Sequence, residues 1–164
     1  MSNVLGIISE YNPFHNGHLH HLIESKKLTN SDYTICIMSG NFVQRGDTSL
    51  LDKWTKTQMA LENGIDLVIE LPTLYATSSS ENFALGAIKI LNELKIVDFI
   101  SFGSENCEIE VLNNIANVLY EEPKQFTSLL SHELSKGISF PKARENALLM
   151  YLNNIQKYSN VINQ

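Results

Sequence analysis

Two rhythms of apolar residues alternate along the first part of the chain. Val4 to Ser9 (VLGIIS) is a continuous apolar run of strand length, and Thr34–Met38, Asp66–Leu71 and Asp98–Phe102 repeat it. Between these runs the spacing becomes helical. Gly17–Leu28 places Leu19, Leu22 and Ile23 on one face, and Leu51–Asn63 runs to a stop at Asn63-Gly64. Ser78–Leu94 opens on serines, with Glu81 in capping-box spacing from Ser78. Strands that are apolar throughout and separated by helices predict a parallel sheet covered on both faces, joined by right-handed crossovers. The expected fold is therefore α/β, a Rossmann-like doubly wound sheet over residues 1–108. From Ile109 the pattern is helical alone: Ile109–Tyr120, Pro123–Lys136 and Pro141–Ile155, the last two with a proline at or near the first turn. Residues 109–164 read as a helical extension of the same domain. Its polar tail, Lys157–Gln164, carries no stop signal and has the look of a cut end.

Doubly wound sheets bind ligands beyond the carboxyl ends of their strands. Four segments leave such ends here: Ser9–Leu19, Ser39–Ser49, Pro72–Ser80 and Gly103–Glu108, three of them rich in Gly, Ser, Asn or His. Composition narrows the classes. The hydrophobic share of 43% is that of an ordinary globular chain. No apolar run approaches the ~18–20 residues of a membrane span, and Glu10, Asn12 and Pro13 interrupt any secretory signal. A cytoplasmic protein with no membrane partner is expected. A net charge of −6 argues against a broad nucleic-acid footprint, though not against a local basic patch. Cys36 and Cys107 lack any ligand spacing and read as buried thiols, Cys36 within a core strand.

The chemistry concentrates in Glu10–His21, EYNPFHNGHLHH, which holds four of the five histidines. His15 and His18, and His18 and His21, stand three apart and could share a helix face as zinc ligands. Yet no cysteine is near and the HExxH pattern is absent. A phosphate explains more. Asn12-Pro13 forces a turn after the first strand, Gly17 bares the backbone where a helix starts, and a helix N-terminus attracts anions. His15 and His18 would flank that point and stabilise charge on a phosphoryl group. His20 and His21 read as helix residues, solvent-facing or packed.

His15-Asn16-Gly17-His18 matches the HxGH signature of the nucleotidylyltransferase superfamily. With "SGNFVQRGD", "KWTKTQMALENGIDLVIELP", "SSSENFALGAIKILNEL", "FGSE" and "SFPKARENAL" following in order, residues 4 to 155 resemble the bacterial tRNA(Met) cytidine acetate ligase family. The resemblance implies that ATP and acetate form acetyl-adenylate, whose acetyl group passes to N4 of the wobble cytidine of elongator tRNA(Met). It implies an ATP site made by Ile7, Ile8, Ser9, Glu10, Tyr11, Asn12, Pro13, Phe14, His15, Asn16, Gly17, His18, Leu19 and His20, with Gly103. Glu105 lies in that last stretch without an assigned role. Members of the family run longer; their further ATP-contacting Asn and Arg, and the Ser/Thr-rich motif ending in Arg, lie beyond the position matching Gln164. The chain is thus expected to be the ATP-binding part.

His15 and His18 are the candidate catalytic residues, with His18 the stronger candidate for transition-state stabilisation. Mg²⁺ is expected to bridge the phosphates, although no carboxylate cage is visible. Arg45, Lys53 and Lys56 follow the second strand, where they could meet triphosphate or tRNA; for the two lysines the plain alternative is a solvated helix face. Trp54 reads as core rather than a base-stacking platform. Lys142 and Arg144 read as solvated, Ser78-Ser79-Ser80 as capping at least as much as ligand binding, and Asp66 and Glu70 as non-catalytic. Two rivals stay open: an adenylyltransferase acting on another small molecule, and a non-catalytic nucleotide- or RNA-binding module.

Overall fold

The computed structural model describes residues 2–104 and 109–162, the last stretch (154–162) as backbone only. Glu105 and Cys107 lie outside the described residues. Contacts divide the chain into two compact units that meet in sequence after Ser104.

In the first unit the four apolar runs form β1 (Val4–Ser9), β2 (Tyr33–Ser39), β3 (Leu67–Leu71) and β4 (Phe99–Ser101). All pair in parallel, in the order β3-β2-β1-β4. The expected parallel α/β sheet is what forms. Alternation along the strands sorts the side chains between two apolar layers. Leu5, Ile7, Cys36 and Met38 pack with Leu22 of α1 (Asn16–Thr29) and Ala60 of α2 (Lys53–Glu62). Ile35, Ile37 and Leu71 pack on the opposite face with Ala87 and Leu91 of α4 (Ser80–Glu93). Gly6 permits that second contact: a Cβ there would meet Leu91 and Val97 at 3.0–3.1 Å.

Three local features differ from the sequence expectation. A short helix α3 (Thr73–Ala76) follows Pro72, and a 3-10 turn spans Gln44–Gly46, both within stretches expected to be loop. The cap of α4 is Ser79, whose hydroxyl accepts from the Asn82 amide; Ser78 instead accepts from the Asn82 side chain. The capping box expected between Ser78 and Glu81 does not form: the cap lies one residue later and is one-sided, because the Asn82 side chain bonds to Ser78 and not back to the Ser79 amide.

The second unit is helical, as expected: α5 (Ile109–Glu121), α6 (Lys124–Ser135) and α7 (Phe140–Ile162). Val118, Phe126 and Ala147 form its core. Glu133, 2% exposed, is buried with them and held by the Lys136 ammonium and the Asn146 amide, whose nitrogen lies 2.9 Å away.

Candidate functional site: the turn between the first strand and helix

Ile7, Ile8 and Ser9 end β1, and Glu10–Phe14 turn the chain toward α1. The Asn12–Pro13 peptide is cis. Tyr11 takes a left-handed backbone, φ 44°, and its buried ring packs edge-on to Phe14 at 4.7 Å and to His18 at 4.8 Å. Ile7, Tyr11 and Phe14 are therefore floor; their side chains belong to the core.

The two motif histidines cap the helix reciprocally. His15 is the N-cap: its Nδ1 accepts from the Gly17 amide at 3.1 Å, while Nδ1 of His18 accepts from the His15 amide at 3.3 Å. This is a capping box built from imidazoles in place of Ser/Thr and Glu. The rings stack, centroids 3.7 Å apart and 20° from parallel. Because each Nδ1 is an acceptor, each neutral ring carries its proton on Nε2. Two near-parallel rings thus offer two Nε2–H donors at a helix start with no acidic residue in its first turn. Burial, then the neighbouring His15 and His21, hold the His18 pKa below its ordinary value, which keeps it in this neutral, capping form. Gly17 has a reason beyond ligand approach: a Cβ there would meet the His15 ring at 3.0–3.1 Å.

Asn16 and His20 are exposed and Leu19 packs partly against the core. His21 turns to β4 instead of the turn, its Nε2 3.0 Å from the Ser101 hydroxyl. Gly103 follows β4, exposed, with nothing within 4 Å of a Cβ position. Among the described residues no group of three His, Cys, Asp or Glu converges as metal ligands do.

The loop after β2 is stitched to the same turn. The Glu10 carboxylate accepts from the Gln44 amide at 2.7 Å, and the Asn12 side-chain Oδ1 from the Leu50 amide at 2.7 Å and the Ser49 hydroxyl at 3.1 Å. These side chains, expected within an ATP site, hold the second loop in place. Arg45 sits on that loop, exposed, at φ 69°. Lys53 is ion-paired to Glu70 at 2.7 Å. Two expectations are corrected here. Trp54 is 74% exposed, with the Lys53 ammonium 5.3 Å from its ring, because it lies on the outer face of α2. Lys56 is not on a solvated face: it is 0% exposed, its ammonium donating to the carbonyls of Glu10 (2.9 Å) and Ser39 (3.0 Å). Helical spacing carried the signal, since Lys56 shares its face with Ala60 four residues on.

Comparison with known proteins places this turn in a family. The HIGH Nucleotidyl Transferase profile matches residues 2–164. A tRNA(Met) cytidine acetate ligase of Thermoanaerobacter sp. (strain X514) is 62% identical over 92% of this chain and 38% of its own length. The enzyme of that name from Halothermothrix orenii is 56% identical over 91% of this chain and 35% of its own. The crystal structure of Thermotoga maritima TmcAL bound with alpha-thio ATP superposes with a TM-score of 0.89 at 46% identity, covering 94% of this chain and 37% of that one. The chain spans under two fifths of the length of these relatives. With the HNGH turn at the carboxyl end of β1 in a parallel sheet, the chain belongs to the HIGH nucleotidyl transferase family and is a homologue of the tRNA(Met) cytidine acetate ligases.

Proposed function

We propose that this chain is the ATP-binding, adenylate-forming part of a tRNA(Met) cytidine acetate ligase. The observation that carries the reading is the reciprocal histidine cap, which fixes both imidazoles with Nε2–H free to donate to phosphate oxygens. Residues 7–20 and Gly103 form the ATP site in this reading, with Ile7, Tyr11 and Phe14 as its floor and the start of α1 as its anion-binding end. An acetate oxygen bonds to the α-phosphorus of ATP as the bond to the pyrophosphate oxygen breaks. His15 and His18 hold phosphate oxygens and stabilise the charge that grows there, so the protein's contribution is position and electrostatics. The acetyl carbonyl is then attacked by the N4 amine of the wobble cytidine of elongator tRNA(Met), releasing AMP. Mg²⁺ brought in with the triphosphate would neutralise phosphate charge; the edge carboxylates Glu10 and Glu70 each already give one oxygen to a protein donor, the Gln44 amide and the Lys53 ammonium. Arg45, exposed on the second loop, is the cation best placed for an RNA or triphosphate contact; Lys53 could join it only by leaving Glu70.

The test is ATP–pyrophosphate exchange dependent on acetate. Exchange that His18→Ala abolishes supports the assignment, and exchange unaffected by it refutes the assignment. The short span of the chain favours a second reading, a nucleotide-binding part that does not turn over alone. Calorimetry showing ATP binding without exchange would select it.

A further inference from the structure

We infer that Lys56 is a positioning residue for His18, acting through the Glu10–Tyr11 peptide. The inference rests on the nucleotide reading above. The last rung between β1 and β2 pairs Ser9 with Met38. The next carbonyl on each strand, Glu10 and Ser39, accepts from the one Lys56 ammonium, at 2.9 and 3.0 Å, where the strands part. A wholly buried ammonium is expensive, and a methionine would fill similar space without that cost. What the ammonium supplies instead is orientation. The Glu10 carbonyl belongs to the peptide plane that leads into Tyr11, and that plane sets the left-handed φ of 44° which a bulky residue seldom adopts. With the plane pinned, the Tyr11 ring lies edge-on to the His18 ring at 4.8 Å. A continuous line of contacts therefore runs from Lys56 through Glu10 and Tyr11 to His18.

Charges around each end agree with the line. Desolvation lowers the Lys56 pKa, while the Glu10 and Glu70 carboxylates and the Cys36 thiol favour its charged form. Facing His18 are His15, His21, Tyr11 and Phe14. The Tyr11 ring that Lys56 holds contributes to the burial that keeps His18 neutral.

The experiment follows His18 by NMR titration and ATP by calorimetry, in the full chain and in Lys56→Met. Release of the Tyr11 ring should return the His18 midpoint toward 6.5 and weaken ATP binding at least tenfold in a protein that is still folded. A His18 midpoint unmoved from the wild type, with ATP affinity within twofold, overturns the inference. If the wild type binds no ATP, the nucleotide reading fails, and the His18 titration alone still decides the positioning role. Should Lys56→Met not fold, the ¹⁵Nζ resonance of Lys56 in the wild type decides. It should respond to His18 titration; a resonance that stays fixed while His18 titrates overturns the inference.

Discussion

His15 does two jobs that a single substitution can separate. As N-cap it accepts from the Gly17 amide, and in the proposed nucleotide site its Nε2–H would donate to a phosphate oxygen. His15→Ala removes both. His15→Asn keeps an acceptor oxygen of the kind helix starts favour but removes the imidazole. Loss of a cap costs about 0.5–2 kcal/mol. Loss of a hydrogen bond to a charged phosphate costs about 1.5–3 kcal/mol, which at ~1.4 kcal/mol per decade is roughly tenfold to 150-fold in affinity. Thermal unfolding should therefore show His15→Ala destabilised and His15→Asn close to the wild type. ATP calorimetry should show both variants weakened by at least tenfold. If His15→Asn binds ATP as tightly as the wild type, the imidazole is only a cap and the proposed phosphate contact is wrong.

Three further outcomes are expected. Gly86→Ala should lower the melting temperature, because the new Cβ falls 2.5–2.8 Å from the Tyr75 side chain; overpacking of about 1–3 kcal/mol outweighs a helix-propensity gain of about 1 kcal/mol, and a raised melting temperature would contradict this. The His18 pKa is lowered from 6.5, so folding disfavours its protonation. Its contribution is intact above about pH 6.5 and is lost as pH falls toward the folded pKa, since the unfolded chain takes the proton first. Urea unfolding across that range should show the loss, and His18→Gln should reduce it, leaving the share that comes from His21, whose pKa burial also lowers. The Lys53–Glu70 pair, short but partly exposed, should couple by no more than about 1 kcal/mol in a double-mutant cycle read by urea unfolding; a much larger value would mean the pair is shielded from solvent.

The sheet was legible because its two central strands are buried on both faces: Val4–Ser9 and Tyr33–Ser39 needed no alternation to be recognised. The HNGH turn was legible as a helix start for the same local reasons that build it: a turn after the strand, then a glycine at the first turn of the helix. What pattern reading missed were features set by tertiary contact. A lysine in a helical pattern reads as surface, yet two carbonyls left over at the strand ends make the burial of Lys56 tolerable. A lone tryptophan in such a pattern reads as core, but α2 leaves Trp54 exposed. The reciprocal cap, in contrast, was there to be read, since His15 and His18 stand in the N-cap-to-N3 spacing of any capping box. The 3-10 turn over Gln44–Gly46 could not be, because the Glu10 carboxylate that accepts from its first amide comes from another strand end.

Cys36 sits in the middle of the sheet beneath Tyr11, and burial pushes its thiol up to about 12. Such a sulfur is silent toward alkylating reagents while β1 and β2 stay closed, since the thiolate is the reactive form. Its modification rate is consequently a stopwatch for the breathing of the barrier between the core and the carboxyl edge of the sheet. A nucleotide seated at the histidines would slow that clock without touching the sulfur.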